Sequence, residues 1–215
     1  MTGDGTTVVW GIGTTRTFRA HWICAEAGLD WETRPVRARV PETKTPEFMT
    51  LSPSGKVPVL VDGGLVVHET GAIVLHVAGC AADSGLLPAD DAGRAAVWRW
   101  CFFAASELDG TSLYVMRRHS DLAPLYGEAP DVVAAAEAYF RDRLADVERE
   151  LADGRPWLLA GGFTAADVMV GACLLWARNR GLDLPDTTAT YFERLRGRPG
   201  FGAAWHVNYG EDEAP

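Results

Sequence analysis

Two hydroxyl-bearing stretches stand where a short apolar run gives way to helical spacing, and each has two possible uses. The first, Thr14-Thr15-Arg16-Thr17, follows the β-branched run at 6–12 and precedes a segment that sets Phe18, Trp22, Ile23 and Ala27 at helical intervals. The second, Glu69-Thr70, follows Leu65-Val66-Val67 and precedes Ile73, Val74, Val77 and Ala78 at the same spacing. A hydroxyl at a helix N-terminus either accepts from an orphan backbone N–H as a cap, or joins those N–H groups in holding a negative charge. A third place, Thr164-x-x-Asp167, has the reciprocal spacing of a capping box with Phe163 available for a hydrophobic staple, and reads as structural.

The four cysteines offer less. Cys24, Cys80, Cys101 and Cys173 form no CxxC or CxxH spacing, so neither a zinc site nor a dithiol redox pair is signalled. They read as reduced, mostly buried thiols, and no metal or other cofactor is expected.

The elements that must position these groups alternate over the first eighty residues. A strand at 6–12 is followed by a helix at 16–28 stopped by Gly28, then by a second strand at 31–36. Two apolar strands at 57–61 and 65–67 flank Asp62-Gly63-Gly64, a hairpin signal, and a helix follows over 70–81. The order βαβ, short helix, ββα is complete by about residue 80. The stretch 81–91 is rich in small residues and carries a proline, which places a first domain at 1–81, a link at 82–90 and a second domain at 91–215. Helical patterning at 90–108, 130–152, 164–180 and 187–196 makes the second domain all-α. There is no internal repeat, and the acidic tail at 211–213 reads as frayed.

The chain of 215 residues is 47% hydrophobic and 23% charged, enough for a packed core and unlike a disordered or coiled-coil sequence. Its net charge of -9 repels phosphate backbones and anionic lipid, which argues against nucleic acid or membrane as a partner. No apolar run approaches the ~20 residues of a membrane span, and the N-terminus lacks a secretory signal pattern, so a cytoplasmic location is expected.

The segment FMTLSPSGKVPVL at 48–60, followed by VHETGAI at 67–73, resembles the glutathione-binding half of the cytosolic glutathione transferases of bacterial type. That family shows N-P-x-G-x-V-P-x-L and then an acidic residue followed by Ser, where this chain has Thr70. Three further segments are similar: TTRTFR at 14–19 through Trp22 with EAGL at 26–29, GFTAAD at 162–167, and Arg198-Pro199-Gly200-Phe201. The resemblance spans nearly the whole chain. It implies a thioredoxin-like α/β domain with a mixed four-stranded sheet joined to an all-α bundle. A homodimer is also implied, with the third helix of one subunit against the fourth of the other.

Glutathione is then the implied co-substrate and a small hydrophobic electrophile the implied acceptor, in a detoxification reaction. A cis bond before Pro58 would let the Val57 N–H and C=O pair with the cysteinyl backbone as an added strand. Thr70 would hold the γ-glutamyl carboxylate, Glu69 its ammonium and Lys56 the glycine carboxylate. Family members place Tyr, Ser or Cys in the loop after the first strand to favour the thiolate, the form that reacts. This chain has no Tyr before Tyr114, and Cys24 lies too far into the first helix, leaving Thr14, Thr15 and Thr17. Counting back four residues from Arg19 selects Thr15 as the catalytic hydroxyl. Ile12, Phe103 and Tyr114 are assigned to the hydrophobic substrate site, the last two from the apolar stretch that also holds Trp98, Trp100, Phe102 and Met116. Two other readings keep the fold: a binding protein with little catalysis, and a glutathione-dependent isomerase, dehalogenase or peroxidase. A thiol-disulfide oxidoreductase is disfavoured by the lack of a cysteine in the first-helix loop.

Overall fold

The computed structural model describes residues 6–210; the tail at 211–213 lies outside them. Strand β1 (Thr7–Ile12) buries alternate positions Thr7, Val9 and Gly11, as a half-buried strand of period two must. It pairs in parallel with β2 (Trp31–Arg37) and antiparallel with β3 (Val59–Asp62), which continues through a tight turn into β4 (Leu65–Val67). The sheet order is β2-β1-β3-β4, mixed and four-stranded. Helix α1 (Thr15–Glu26) provides the β1–β2 crossover, α2 (Pro46–Leu51) is short, and α3 (Thr70–Cys80) follows β4 and packs beside α1.

Among the described residues, those up to Ala89 together with those from Leu195 onward form one compact unit, and Asp90–Arg194 form another. This division differs from a break at 82–90 alone, because the chain returns to the first unit. The Arg198-Pro199-Gly200-Phe201 segment opens a helix the periodicity did not show; its apolar residues are spread around the axis. In chain order it is α10 (Pro199–Tyr209). Phe18 and Trp22 of α1 meet Phe201 with ring centroids 4.9 and 5.0 Å away, and Trp205 meets Tyr209 at 4.6 Å. Glu26 closes this aromatic cluster, accepting from Trp22 Nε1 at 2.8 Å and from Arg198 Nε and Nη2 at 2.8 and 2.6 Å.

The second unit is built from helices: α4 (Asp91–Phe103), α5 (Tyr114–His119), α6 (Ala123–Tyr126), α7 (Pro130–Glu150), α8 (Ala165–Asn179) and most of α9 (Asp186–Arg196). The wider turns of a π-helix, 104–113, join α4 to α5. Helix α8 is buried at every position from Ala165 to Ala177, so it forms the centre of this unit. Its first turn carries the expected capping box, and Asp167 does more than the motif requires. Its carboxylate, itself fully buried, accepts from Leu158 N at 3.0 Å, Thr164 N at 2.8 Å, Thr164 Oγ1 at 3.2 Å and Tyr191 Oη at 2.8 Å. Burial lifts this carboxyl above its ordinary range while the four donors pull it back.

Cys24, Cys101 and Cys173 are buried, as the expectation of mostly buried thiols has it, and Cys80 is exposed. Cys80 is the last residue of α3. No helix of the described residues is long and apolar enough to cross a membrane.

Candidate functional site

Strand directions gather the sequence-marked residues at one end of the sheet. With Trp10 opposite Val59 and Leu60 opposite Val67, the C-terminal ends of β1 and β4 lie beside the N-terminal end of β3. The α1 entry loop, the Lys56-Val57-Pro58 segment and Glu69-Thr70 all emerge there. The Val57–Pro58 bond is cis, as the resemblance implied.

The three threonines divide their work. Thr14 is the N-cap of α1: its Oγ1 accepts from Thr17 N at 3.0 Å, and Thr17 Oγ1 accepts from Thr14 N at 3.0 Å. Thr17 is fully buried and donates to Asn208 Oδ1 at 2.7 Å. Thr15 holds the first helical position, is half-buried, and its hydroxyl has no hydrogen-bond partner among the described residues. Two hydroxyls are thus committed to structure, and that of Thr15 stays available at the first position of α1. Cys24 does not compete, since burial pushes its thiol up to about 12 and keeps it protonated.

Three residues that the sequence reading missed hold this loop. Asn208 of α10, 1% exposed, accepts from Gly13 N through its backbone O at 3.0 Å and through Oδ1 at 3.2 Å, and donates to Thr14 O at 3.1 Å. Gly11, at φ 126°, makes a register shift in β1, and a Cβ there would lie 2.7 Å from both Val57 Cβ and Thr17 Cγ2. Only glycine lets Val57 approach so closely; a Gly inside a strand-like run was the available signal.

His21 lies under the same turn. Its Nε2 is 2.9 Å from Gly11 O, and its Nδ1 accepts from Trp31 Nε1 at 3.1 Å, which makes Nε2–H the donor to Gly11. Burial lowers its pKa from the ordinary 6.5 to about 4. The unfolded chain therefore binds the proton more readily, and His21's contribution is complete above pH 6.5 and lost as pH falls toward 4. Urea unfolding at pH 7 and pH 4.5 is expected to show the wild type losing about 2 kcal/mol more than His21→Gln, from the displaced pKa. Equal losses would show that His21 is not the titrating group.

Lys56 is exposed and makes no ion pair among the described residues, while its backbone is fixed. Ser52 Oγ donates to Lys56 O at 2.9 Å and accepts from Lys56 N at 3.1 Å. Lys44 is a second nearby cation, its Nζ 2.9 Å from where a Gly55 Cβ would stand. Glu69 has φ 64°, a strained region for a side-chain-bearing residue, and makes no capping bond. Its carboxylate is exposed; Thr70, only 8% exposed, is the first residue of α3.

The residues assigned to the apolar substrate are less coherent. Ile12 is half-buried at the end of β1, and in the second unit Phe103 and Tyr114 are half-buried too. Phe103 packs edge-on to Trp100 at 5.2 Å and lines a cavity of about 490 Å³. That cavity carries Arg99, Arg149, Arg155, Asp146 and Glu150 and does not include Tyr114, so it is charged where an apolar site was expected.

Family models of the glutathione S-transferase N-terminal and C-terminal domains match residues 5–79 and 130–203. A Fusarium glutathione S-transferase-like protein, LUC7, is 33% identical over 164 residues, covering 75% of this chain and 73% of that protein. The Escherichia coli disulfide-bond oxidoreductase YfcG is 30% identical over 191 residues, covering 83% and 85%. The theta class glutathione S-transferase of Xanthomonas axonopodis pv. citri, solved with glutathione bound, superposes with a TM-score of 0.81 at 28% identity, covering 93% of this chain and 96% of that one.

Proposed function

This chain belongs to the glutathione S-transferase family, and from that premise we propose that it binds glutathione at the sheet end bearing Thr15 and transfers its thiolate to a hydrophobic electrophile. The observation that carries this reading is the unengaged Thr15 hydroxyl at the start of α1, between two threonines whose hydroxyls are consumed in capping. A hydrogen bond donated to sulfur, with the positive end of the helix behind it, lowers the thiol pKa and supplies the nucleophile near neutral pH. The edge at Val57 receives the peptide backbone, and Lys56 attracts the glycine carboxylate. Thr70 meets the γ-glutamyl carboxylate with Glu69 toward its ammonium. Glutathione is a co-substrate, and the reading needs no metal or other cofactor. In the helical unit, the half-buried ring of Tyr114 offers apolar surface to the second substrate, whereas Phe103 opens on the charged cavity.

Calorimetric titration with glutathione tests the binding half. Glu69→Ala is expected to weaken affinity by about 1.5–3 kcal/mol, the scale of a hydrogen bond to a charged group. Unchanged affinity in a folded variant would remove Glu69 from the site.

The same reading takes the protein as a cytoplasmic homodimer. Cysteines outside any disulfide suit a reducing compartment, and Trp98 and Phe102, 45% and 68% exposed one turn apart on α4, are the kind of surface a partner's α3 would cover. Light scattering is expected to give twice the 23.2 kDa chain mass; a monomer at micromolar concentration counts against it. The E. coli relative named as a disulfide-bond oxidoreductase supports a second reading. With no cysteine at the head of α1, the thiolate of glutathione itself would attack a disulfide, breaking its S–S bond to expel one thiolate and leave a mixed disulfide, and a second glutathione thiolate would attack the glutathione sulfur of that mixed disulfide, releasing oxidised glutathione and the second thiolate. A comparison of rates on an electrophile and on a small disulfide separates the two.

A further inference from the structure

We propose that Asp62, His76 and Cys80 bind one divalent transition-metal ion, of which zinc is the best match, at the end of the sheet remote from Thr15. His76 and Cys80 stand four residues apart on α3, which puts them on one face a turn from each other. Asp62 ends β3 and reaches the same point from the sheet. His76 Nε2 is 2.9 Å from Asp62 Oδ2 and 3.7 Å from Cys80 Sγ, and the three donor atoms all lie within 4.8 Å of one another. Tetrahedral zinc with ordinary bond lengths sets its nitrogen, oxygen and sulfur donors about 3.3–3.6 Å apart. Two of the three separations bracket that range and the third is no more than 4.8 Å, so side-chain rotation is what would bring all three donors onto one ion.

A proton relay is the competing use of Cys, His and Asp, and the atoms argue against it. A relay needs the imidazole to offer one nitrogen to the acid and the other to the thiol. Here both meet the same Nε2. One ion accepting three lone pairs suits this convergence; a single N–H serving both groups does not. Thr7 Oγ1 donates to Asp62 Oδ1 at 3.1 Å, leaving Oδ2 to turn toward the ion. Thiolate and imidazole favour zinc over magnesium or calcium. Asp62 and His76 side chains are about a quarter exposed and Cys80 is exposed, which provides an entry path and room for water as fourth ligand. Binding releases the Cys80 thiol proton to solvent, and carboxylate plus thiolate then neutralise the divalent charge.

The test uses the metal-stripped full chain without glutathione or any other free thiol, since these chelate the probe. Calorimetry is expected to show one Zn²⁺ bound per chain. Added Co²⁺ is expected to produce a thiolate-to-metal charge-transfer absorption, which reports on Cys80 because the other three thiols are buried. Cys80→Ser should abolish that absorption, and His76→Gln and Asp62→Asn should each weaken Zn²⁺ at least tenfold, with circular dichroism and glutathione affinity unchanged. A wild-type chain that gives no charge-transfer absorption overturns the proposal. So does an absorption that survives in folded Cys80→Ser. Neither outcome depends on whether the glutathione reading holds.

Discussion

Thr15→Val is expected to raise the pKa of the bound glutathione thiol by about 1–2 units, the equivalent of losing one hydrogen bond to an anion. Turnover near neutral pH should fall roughly ten- to a hundredfold, because the thiolate fraction falls with the pKa shift. Affinity for the peptide should stay within about twofold, since the proposed anchors at Lys56, Val57, Glu69 and Thr70 are untouched. Valine keeps the branched shape at the first position of α1 and deletes only the donor. Thr14→Val is the control: its hydroxyl already accepts from Thr17 N, so the expected result is a stability loss of about 0.5–2 kcal/mol with the bound-thiol pKa unmoved. Ultraviolet titration of the bound thiolate in the two variants and wild type reads both effects. A pKa that moves only in Thr14→Val transfers the role to Thr14, and a rate already negligible and unmoved in Thr15→Val favours a binding protein with little catalysis.

Asp167→Ala is expected to cost about 3–5 kcal/mol of stability, the range for removing the acceptor from a buried charged network. Its carboxylate serves four donors, two of them backbone N–H groups of Leu158 and Thr164 that have no route to water. Tyr191→Phe removes one donor and should cost only about 1 kcal/mol, because the other three bonds remain. Urea unfolding of the two variants provides the comparison. A loss below 1 kcal/mol for Asp167→Ala would mean the helical unit re-satisfies those donors by rearrangement, and the capping box would not be the pin it is taken to be.

Several features were open to reading from local pattern. The βαβ, short helix, ββα order follows from stretches of a few residues whose periodicity of two or 3.6 is set by backbone geometry. The Asp62-Gly63-Gly64 turn and the Thr164–Asp167 box are equally local, each closed within four positions. The Lys56-Val57-Pro58 and Glu69-Thr70 segments were legible for another reason: they carry the family's motif side by side in the chain. Helix α10 escaped because its apolar residues surround the axis and give no stripe; its partner face became visible only when Phe201 met Phe18.

The sequence by itself determined the layer types, the likeness to glutathione transferases and a set of three threonines as candidates. Tertiary structure showed that Thr17 is held from outside its own helix, because its partner Asn208 lies more than 190 residues away along the chain. It also decided that Gly11 must yield space to Val57, that the cavity Phe103 lines carries charged side chains, and that Asp62 joins His76 and Cys80. Each of these depends on where a side chain from one element ends against another, and strand register and helix packing, not spacing along the chain, set those distances.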